Sequence, residues 1–205
     1  MKKVYVLVIG AMILALIGCS NTVNSSYSFS KEGIEPYKLS ENEKYILQSF
    51  GMEDTSQIIA FHAPKDAHSL HINVYRLKDD KKWDSIGGGA ISISEDMNTT
   101  EQLTGIFTMQ MKDNYAIDFH INSNGLYSFH TDDIMLDKEI VASQKTFLQD
   151  FENITLNNEV PVALMAYSSG TTMKSYSLQD YFEPLKFSRM DLVQVVTMTF
   201  SDEEM

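Results

Sequence analysis

The residues with the most chemical potential in this chain are its five histidines. Three of them, His62, His68 and His71, flank the turn-forming stretch Pro64-Lys65-Asp66-Ala67-His68. A hairpin across that stretch that pairs Phe61 with Ile72 and Ile59 with Val74 keeps the apolar side chains together and sets His62 opposite His71. Cross-strand neighbours have Cβ atoms about 5 Å apart, close enough for a metal ion or a proton-sensing pair, for which His62 and His71 are the candidates. The same pair also fits a simpler role as exposed histidines on a wet sheet face. His68 and His71 point to opposite faces of a strand, and no acidic ligand is fixed nearby by spacing.

A second constellation lies over residues 115–130. A three-residue loop at Ser123-Asn124-Gly125, with Gly125 left-handed, pairs Ile121 with Tyr127 and Phe119 with Phe129. That register sets Asp118 opposite His130 and His120 opposite Ser128. Asp, His and Ser suggest a hydrolase, which needs a nucleophile beside a base, an oriented third group and an oxyanion hole. An open sheet face supplies no such hole, so the simpler reading is a solvated polar face with a weak ion pair.

A third group, His71, Asn73 and Tyr75, shares the polar face of one strand. An aromatic ring on such a face can stack on a sugar or fill a partner's pocket. Trp83 reads as core packing instead. Gly87-Gly88-Gly89 precedes Ala-Ile-Ser-Ile-Ser, a strand pattern with no Lys-Ser/Thr, so it is no phosphate loop. It fits a bulge or bend, or a groove that a ligand could approach. Ser168-Ser169-Gly170-Thr171-Thr172 lacks the spacing of a nucleophile elbow.

The elements that would hold these residues are mostly strands. Apolar residues alternate with polar ones over 69–77, 106–111 and 115–122, the mark of half-buried antiparallel strands. A loop at Lys112-Asp113-Asn114 would pair Met111 with Tyr115 and Met109 with Ile117. Further strands are expected over 160–167 and 192–200. Ser40 with Glu43 is a capping box that opens a helix over about 41–50, closed by Gly51. A short helix over Ser143–Glu152 and a helical turn over Ser177–Phe182, ended by Pro184, complete the pattern. The expected fold is mainly β: an antiparallel β-sandwich of about eight strands with one to three short helices. A single curved sheet covered by helices is the alternative.

Composition narrows the function. The only cysteine is Cys19, so no disulfide braces the domain. Upstream of it, Met1-Lys2-Lys3 is positive, Val4 to Ile17 is apolar and Gly18 is small. This order is that of a secretory signal, and it falls short of the roughly 20 apolar residues that span a bilayer. Leu16-Ile17-Gly18-Cys19 resembles the lipobox of bacterial lipoproteins. The resemblance covers only residues 1–20. It implies cleavage before Cys19, a lipid on the Cys19 sulfur, and attachment to the extracytoplasmic face of the cell membrane. The absence of disulfides tilts the source toward Gram-positive bacteria.

Three segments follow: a signal over 1–18, a Ser- and Asn-rich tether over 19–37, and one β-rich domain over 38–205. Without Lys2 and Lys3 the chain has 14 basic and 28 acidic side chains, a net of −14. That charge repels nucleic acid and anionic membrane surfaces, which leaves the Cys19 lipid as the membrane contact. The expected function is a non-catalytic binding or interaction module for an unknown protein or envelope glycan, with no cofactor. The alternatives are a cell-envelope hydrolase using Asp118, His120 and His130, or an accessory subunit of a membrane transporter or sensor complex.

Overall fold

Alternating sequence becomes two five-stranded antiparallel sheets in the computed structural model, which describes residues 31–92 and 102–203. In chain order the elements are β1 (Gly33–Pro36), α1 (Glu41–Ser49), β2 (Ser56–His62), β3 (Ser69–Leu77), β4 (Trp83–Ser92) and β5 (Thr104–Met111). They continue with β6 (Ile117–Asn122), β7 (Leu126–His130), β8 (Ala142–Phe147), β9 (Glu159–Ser168) and β10 (Leu192–Ser201). Two 3₁₀ turns, Leu178–Phe182 and Pro184–Phe187, lie between β9 and β10. The first sheet runs β1-β2-β5-β6-β7 and the second β4-β3-β10-β9-β8. The architecture is a mainly β, sandwich-like fold with two separate sheets rather than one curved sheet.

The inner faces of the sheets form one core. Phe61, Phe107 and Phe119 of the first sheet and Leu70, Ile72 and Phe200 of the second are almost wholly buried. Phe61 and Phe200 meet across the interface with ring centroids 5.9 Å apart, which locks the two layers face to face. Two buried glutamines cross it. Gln57 donates from Nε2 to the Leu148 carbonyl at 3.0 Å, and Gln194 donates to the Tyr115 carbonyl at 2.9 Å. Each satisfies a carbonyl at the end of the opposite layer.

At one edge of the sandwich, β4 meets β7. A Cβ on Gly89 would lie 2.6 Å from the Phe129 ring, and one on Gly87 would lie 2.8 Å from Thr131 Cγ2. The glycines therefore admit neighbouring protein rather than a ligand, which sets aside the alternative of a ligand groove at Gly87–Gly89. The bulge expected there is present, because the β3–β4 register shifts between Val74 and Tyr75. At the other edge, Ile34 and Glu152 exchange backbone hydrogen bonds of 3.0 and 2.9 Å.

Several expectations change. The tether expected over 19–37 ends sooner, because Gly33–Pro36 pairs with β2 and Ile34 is fully buried. Phe61 and Ile72 do not share a hairpin, because β2 and β3 belong to different sheets. Residues 63–68 carry the chain across the sandwich, with Ala63 N–H donating to Leu103 and His68 N–H to Ser201. Both strands point the expected residues into the core, so alternation alone fits a crossover as well as a hairpin.

The β5–β6 register is two residues longer than expected, pairing Met111 with Ile117 and Phe107 with Ile121. A slip of two preserves the faces. The extra residues form a turn with Tyr115 at φ 65° and Lys112 N–H donating to the Ala116 carbonyl. The β6–β7 register is as expected, except that Asn124, at φ 49°, takes the left-handed position instead of Gly125. Ser143–Glu152 is not helical: β8 occupies its first half, and Gln144 and Thr146 both hydrogen-bond to Tyr176. A short apolar cluster such as Phe147-Leu148 and Phe151 does not distinguish helix from strand. The helix over 41–49 and the turn over 178–182 form where expected.

Candidate functional site

The outer face of the first sheet has a lengthwise gradient written in its register. One row across the strands reads Ile58, Thr108, His120, Ser128, and the next reads Ala60, Ile106, Asn122, Leu126. The β2 side is apolar. Hydrogen-bonding groups gather on β6, and Leu126 adds an apolar lip on β7.

Helix α1 lies over this face. Its start is set by the capping box: Ser40 N–H donates to Glu43 Oε2 at 2.7 Å, and Glu43 N–H donates to Ser40 Oγ at 3.4 Å. Yet no residue of the helix is buried, and Ile46 is 53% exposed. An amphipathic helix normally seals its apolar stripe against the core. Here it stands off, and a groove of about 480 Å³ separates it from the sheet. Leu39, Ile46 and Leu47 form its roof, Ile58 and Ile106 its apolar floor, and His120 and Asn122 its polar end. A smaller recess of about 170 Å³ shares Leu47, Ile58, Thr108 and His120. The size matches pockets for small organic ligands, which run to roughly 300–1,000 Å³ and combine apolar walls with a few placed polar groups.

The outer face of the second sheet is filled. Residues 169–191 fold over it and bury Tyr176, Tyr181 and Phe187 against Leu164, Val193 and Val195. Trp83 packs on Tyr181 at 5.1 Å and donates from Nε1 to its carbonyl at 3.0 Å, the packing role expected of it. Tyr181 donates to Glu159 Oε2 at 2.6 Å, and Thr197 donates to Glu159 Oε1 at 2.7 Å. Tyr75 stacks on Tyr181 at 6.1 Å. Burial first, and then its hydrogen bond to Glu159, push the Tyr75 hydroxyl up to about 12. The same causes raise Tyr181.

The candidate residues therefore separate onto two faces. His71, Asn73 and Tyr75 lie on the second sheet, while Asp118, His120 and His130 lie on the first. Tyr75 is part of the covered layer and not an open platform. His71 Nε2 pairs with Ser69 Oγ at 3.0 Å, and Asn73 sits opposite Gly88. His62 is not opposite His71: its Nε2 meets Gln102 Oε1 at 2.9 Å. Among the described residues, no group of three or more His, Cys, Asp or Glu side chains is placed to hold a metal.

On β6 and β7, His120 Nδ1 contacts Ser128 Oγ at 2.9 Å, as the register implied. Asp118 pairs with Lys112 at 3.1 Å. It makes no hydrogen bond to either histidine, so the oriented third group of a hydrolytic triad is not assembled here. Of this set only His120 opens into the groove.

Reasoning from chemistry-bearing residue types overlooked Ile58, Ile106 and Leu126. For Ile58 a signal was present: Ile58-Ile59-Ala60-Phe61 is an unbroken apolar run, which marks a strand with something apolar on both faces. Cys19 and the segment before it lie outside the described residues. No helix among the described residues is long and apolar enough to cross a membrane.

A family model described as the YgaN domain matches residues 33–186, from the first residue of β1 to the second 3₁₀ turn. No curated protein and no solved structure matches the chain.

Proposed function

The chain belongs to the YgaN domain family, and from that premise we propose that it is a lipid-anchored, extracytoplasmic binding module that holds an amphipathic small molecule in the groove under α1. The observation that supports this reading is the stand-off of α1. A nine-residue helix with a complete capping box leaves Ile46 half exposed above an apolar floor. The ligand has an apolar body against Leu47, Ile58 and Ile106 and a hydrogen-bonding head at His120 and Asn122. Burial of the body supplies the affinity, at roughly 25 cal/mol per Å² of apolar surface. The polar end sets its direction.

A fluorescent fatty-acid analogue, titrated into the purified mature chain carrying Cys19→Ala, tests the site. Binding is expected to be saturable. Ile106→Trp, which fills the floor, weakens it about tenfold or more, the equivalent of about 1.4 kcal/mol per factor of ten. Val141→Trp, an exposed site elsewhere, leaves it unchanged. Absence of saturable binding, or equal binding by the Ile106→Trp protein, counts against the groove.

The anchor rests on the Leu16-Ile17-Gly18-Cys19 stretch. In fractionated cells the native chain is expected in the membrane and the Cys19→Ala chain outside it. A Cys19→Ala chain that stays with the membrane would remove the lipid from the proposal.

A further inference from the structure

The layer over the second sheet ends in a cleft of about 370 Å³ whose lining includes Lys174, Lys186 and Arg189, with hydroxyls from Thr172, Tyr176 and Ser188. No carboxylate lines it. That is unexpected in a chain with 28 acidic and 16 basic side chains. The three cations differ in their partners. Lys186 is already neutralised by Asp180 at 2.5 Å and Glu183 at 2.8 Å. Lys174 and Arg189 make no hydrogen bond or ion pair among the described residues.

We propose that this cleft binds a phosphate-class anion, with Arg189 and Lys174 as its charged contacts and Ser188 and Thr172 as neutral donors. The physical argument is one of cost. An anion entering beside Lys186 would have to displace carboxylates, whereas one beside Arg189 and Lys174 displaces only water. A guanidinium is weakly hydrated and presents paired N–H groups that match two oxygens of a phosphate, which an ammonium cannot do. The hydroxyls donate to the remaining oxygens without adding charge. The cleft is also held in shape. Tyr176 N–H donates to Gln144 Oε1 at 2.9 Å, and the Tyr176 carbonyl accepts from Gln144 and Thr146 of β8. Behind it, Phe187 is fully buried. Segments 172–174 and 188–190 thus flank a wall anchored at Tyr176 and Phe187.

The surrounding molecule is acidic, so the long-range field opposes an incoming anion and the local contacts must overcome it. Binding is accordingly weak and salt-sensitive, since exposed charges are screened over about 10 Å at 0.1 M ionic strength. The anion could be carried by a soluble or polymeric glycerol phosphate or by a phospholipid head group, and the chemistry of recognition is the same.

The test is an amide-resolved NMR titration of the isotope-labelled mature chain with inorganic phosphate, and then with glycerol phosphate, at low salt. Saturable shifts are expected at residues 172–174 and 188–190. Arg189→Gln, an exposed change that leaves the fold intact, is expected to weaken them about tenfold. Lys65→Gln, which removes an exposed lysine elsewhere, has no effect. The proposal is overturned by non-saturable shifts. It is equally overturned by shifts of the same size around Lys65, or by saturation that Arg189→Gln does not change. Cosedimentation with phosphatidylcholine vesicles containing phosphatidylglycerol separates the sources. Arg189-dependent vesicle binding that glycerol phosphate competes away assigns the anion to a lipid head group. Glycerol phosphate binding without vesicle binding assigns it to a soluble or polymeric phosphate.

Discussion

The two sheets have the same number of strands and the same antiparallel pairing, yet their outer faces are treated in opposite ways. The second sheet is roofed by 169–191, which contributes fully or nearly buried Phe187, Tyr181 and Tyr176 and ties them down with hydrogen bonds to Glu159, Gln144 and Thr146. The first sheet is roofed by α1, which contributes no buried residue. One cover belongs to the folded core. The other is a local element held by its own cap and a few side chains, and elements of that kind open most easily.

Truncation of each roof measures the contrast. Phe187→Ala is expected to destabilise the domain by about 3–5 kcal/mol, the usual range for a fully buried phenylalanine. Leu47→Ala, in the roof of the groove, costs about 1–2 kcal/mol because its side chain is only partly buried. Between them falls Tyr181→Phe, which removes a hydrogen bond to a carboxylate worth about 1.5–3 kcal/mol and leaves packing in place. Urea denaturation of the three variants ranks them. A Leu47→Ala cost equal to that of Phe187→Ala would mean that α1 is sealed against the sheet, and the groove reading would fall with it.

The same contrast explains what the sequence made legible. Strands whose two faces differ, such as Ser69–Leu77 and Thr104–Met111, announce themselves by alternation, and the capping box at Ser40 and Glu43 announces α1. Alternation records which residues face inward, but not which strand lies alongside. The assignment of β2 and β3 to one hairpin therefore failed although every core residue in them was correctly oriented. The unbroken apolar run from Val162 to Tyr167 is the pattern of a strand covered on both faces, a signal that the strand expectation over 160–167 did not use. It did not indicate that the cover would be the irregular segment 169–191. Such a segment has no period of its own; its form comes from long-range partners such as Glu159, 22 residues from Tyr181.

The candidate site was half legible for a related reason. His120 was found because imidazole draws attention, and its partner Ser128 followed from the turn. The groove, however, is made by Ile58, Ile106 and Leu47, whose chemistry is bland and whose importance lies in a helix that does not close. Absence of packing has no sequence signature. It shows only as an apolar residue on the polar phase of a strand, and that reads first as core.

The smallest expected effect concerns the point where the second roof begins and ends. Asp191 accepts from Lys138 Nζ at 2.6 Å, from Ser169 N–H at 2.7 Å and from Ser169 Oγ at 2.9 Å, joining the two ends of the covering segment. The hydrogen bond from Lys138 and then that from the Ser169 amide hold its carboxyl down at about 2, against 3.8 when free. The folded state thus binds fewer protons than the unfolded state between those values. Its stabilisation is complete above 3.8 and is lost as the pH falls to about 2. Lys138 is largely exposed, so screening keeps the effect small. Urea midpoints of the native and Asp191→Asn proteins are expected to differ at neutral pH and to converge as acid protonates the native carboxylate. A gap that stays constant through that range would show that the charge does not fasten the roof. The covering segment would then owe its position to its buried aromatic residues and their hydrogen bonds to β8 and β9.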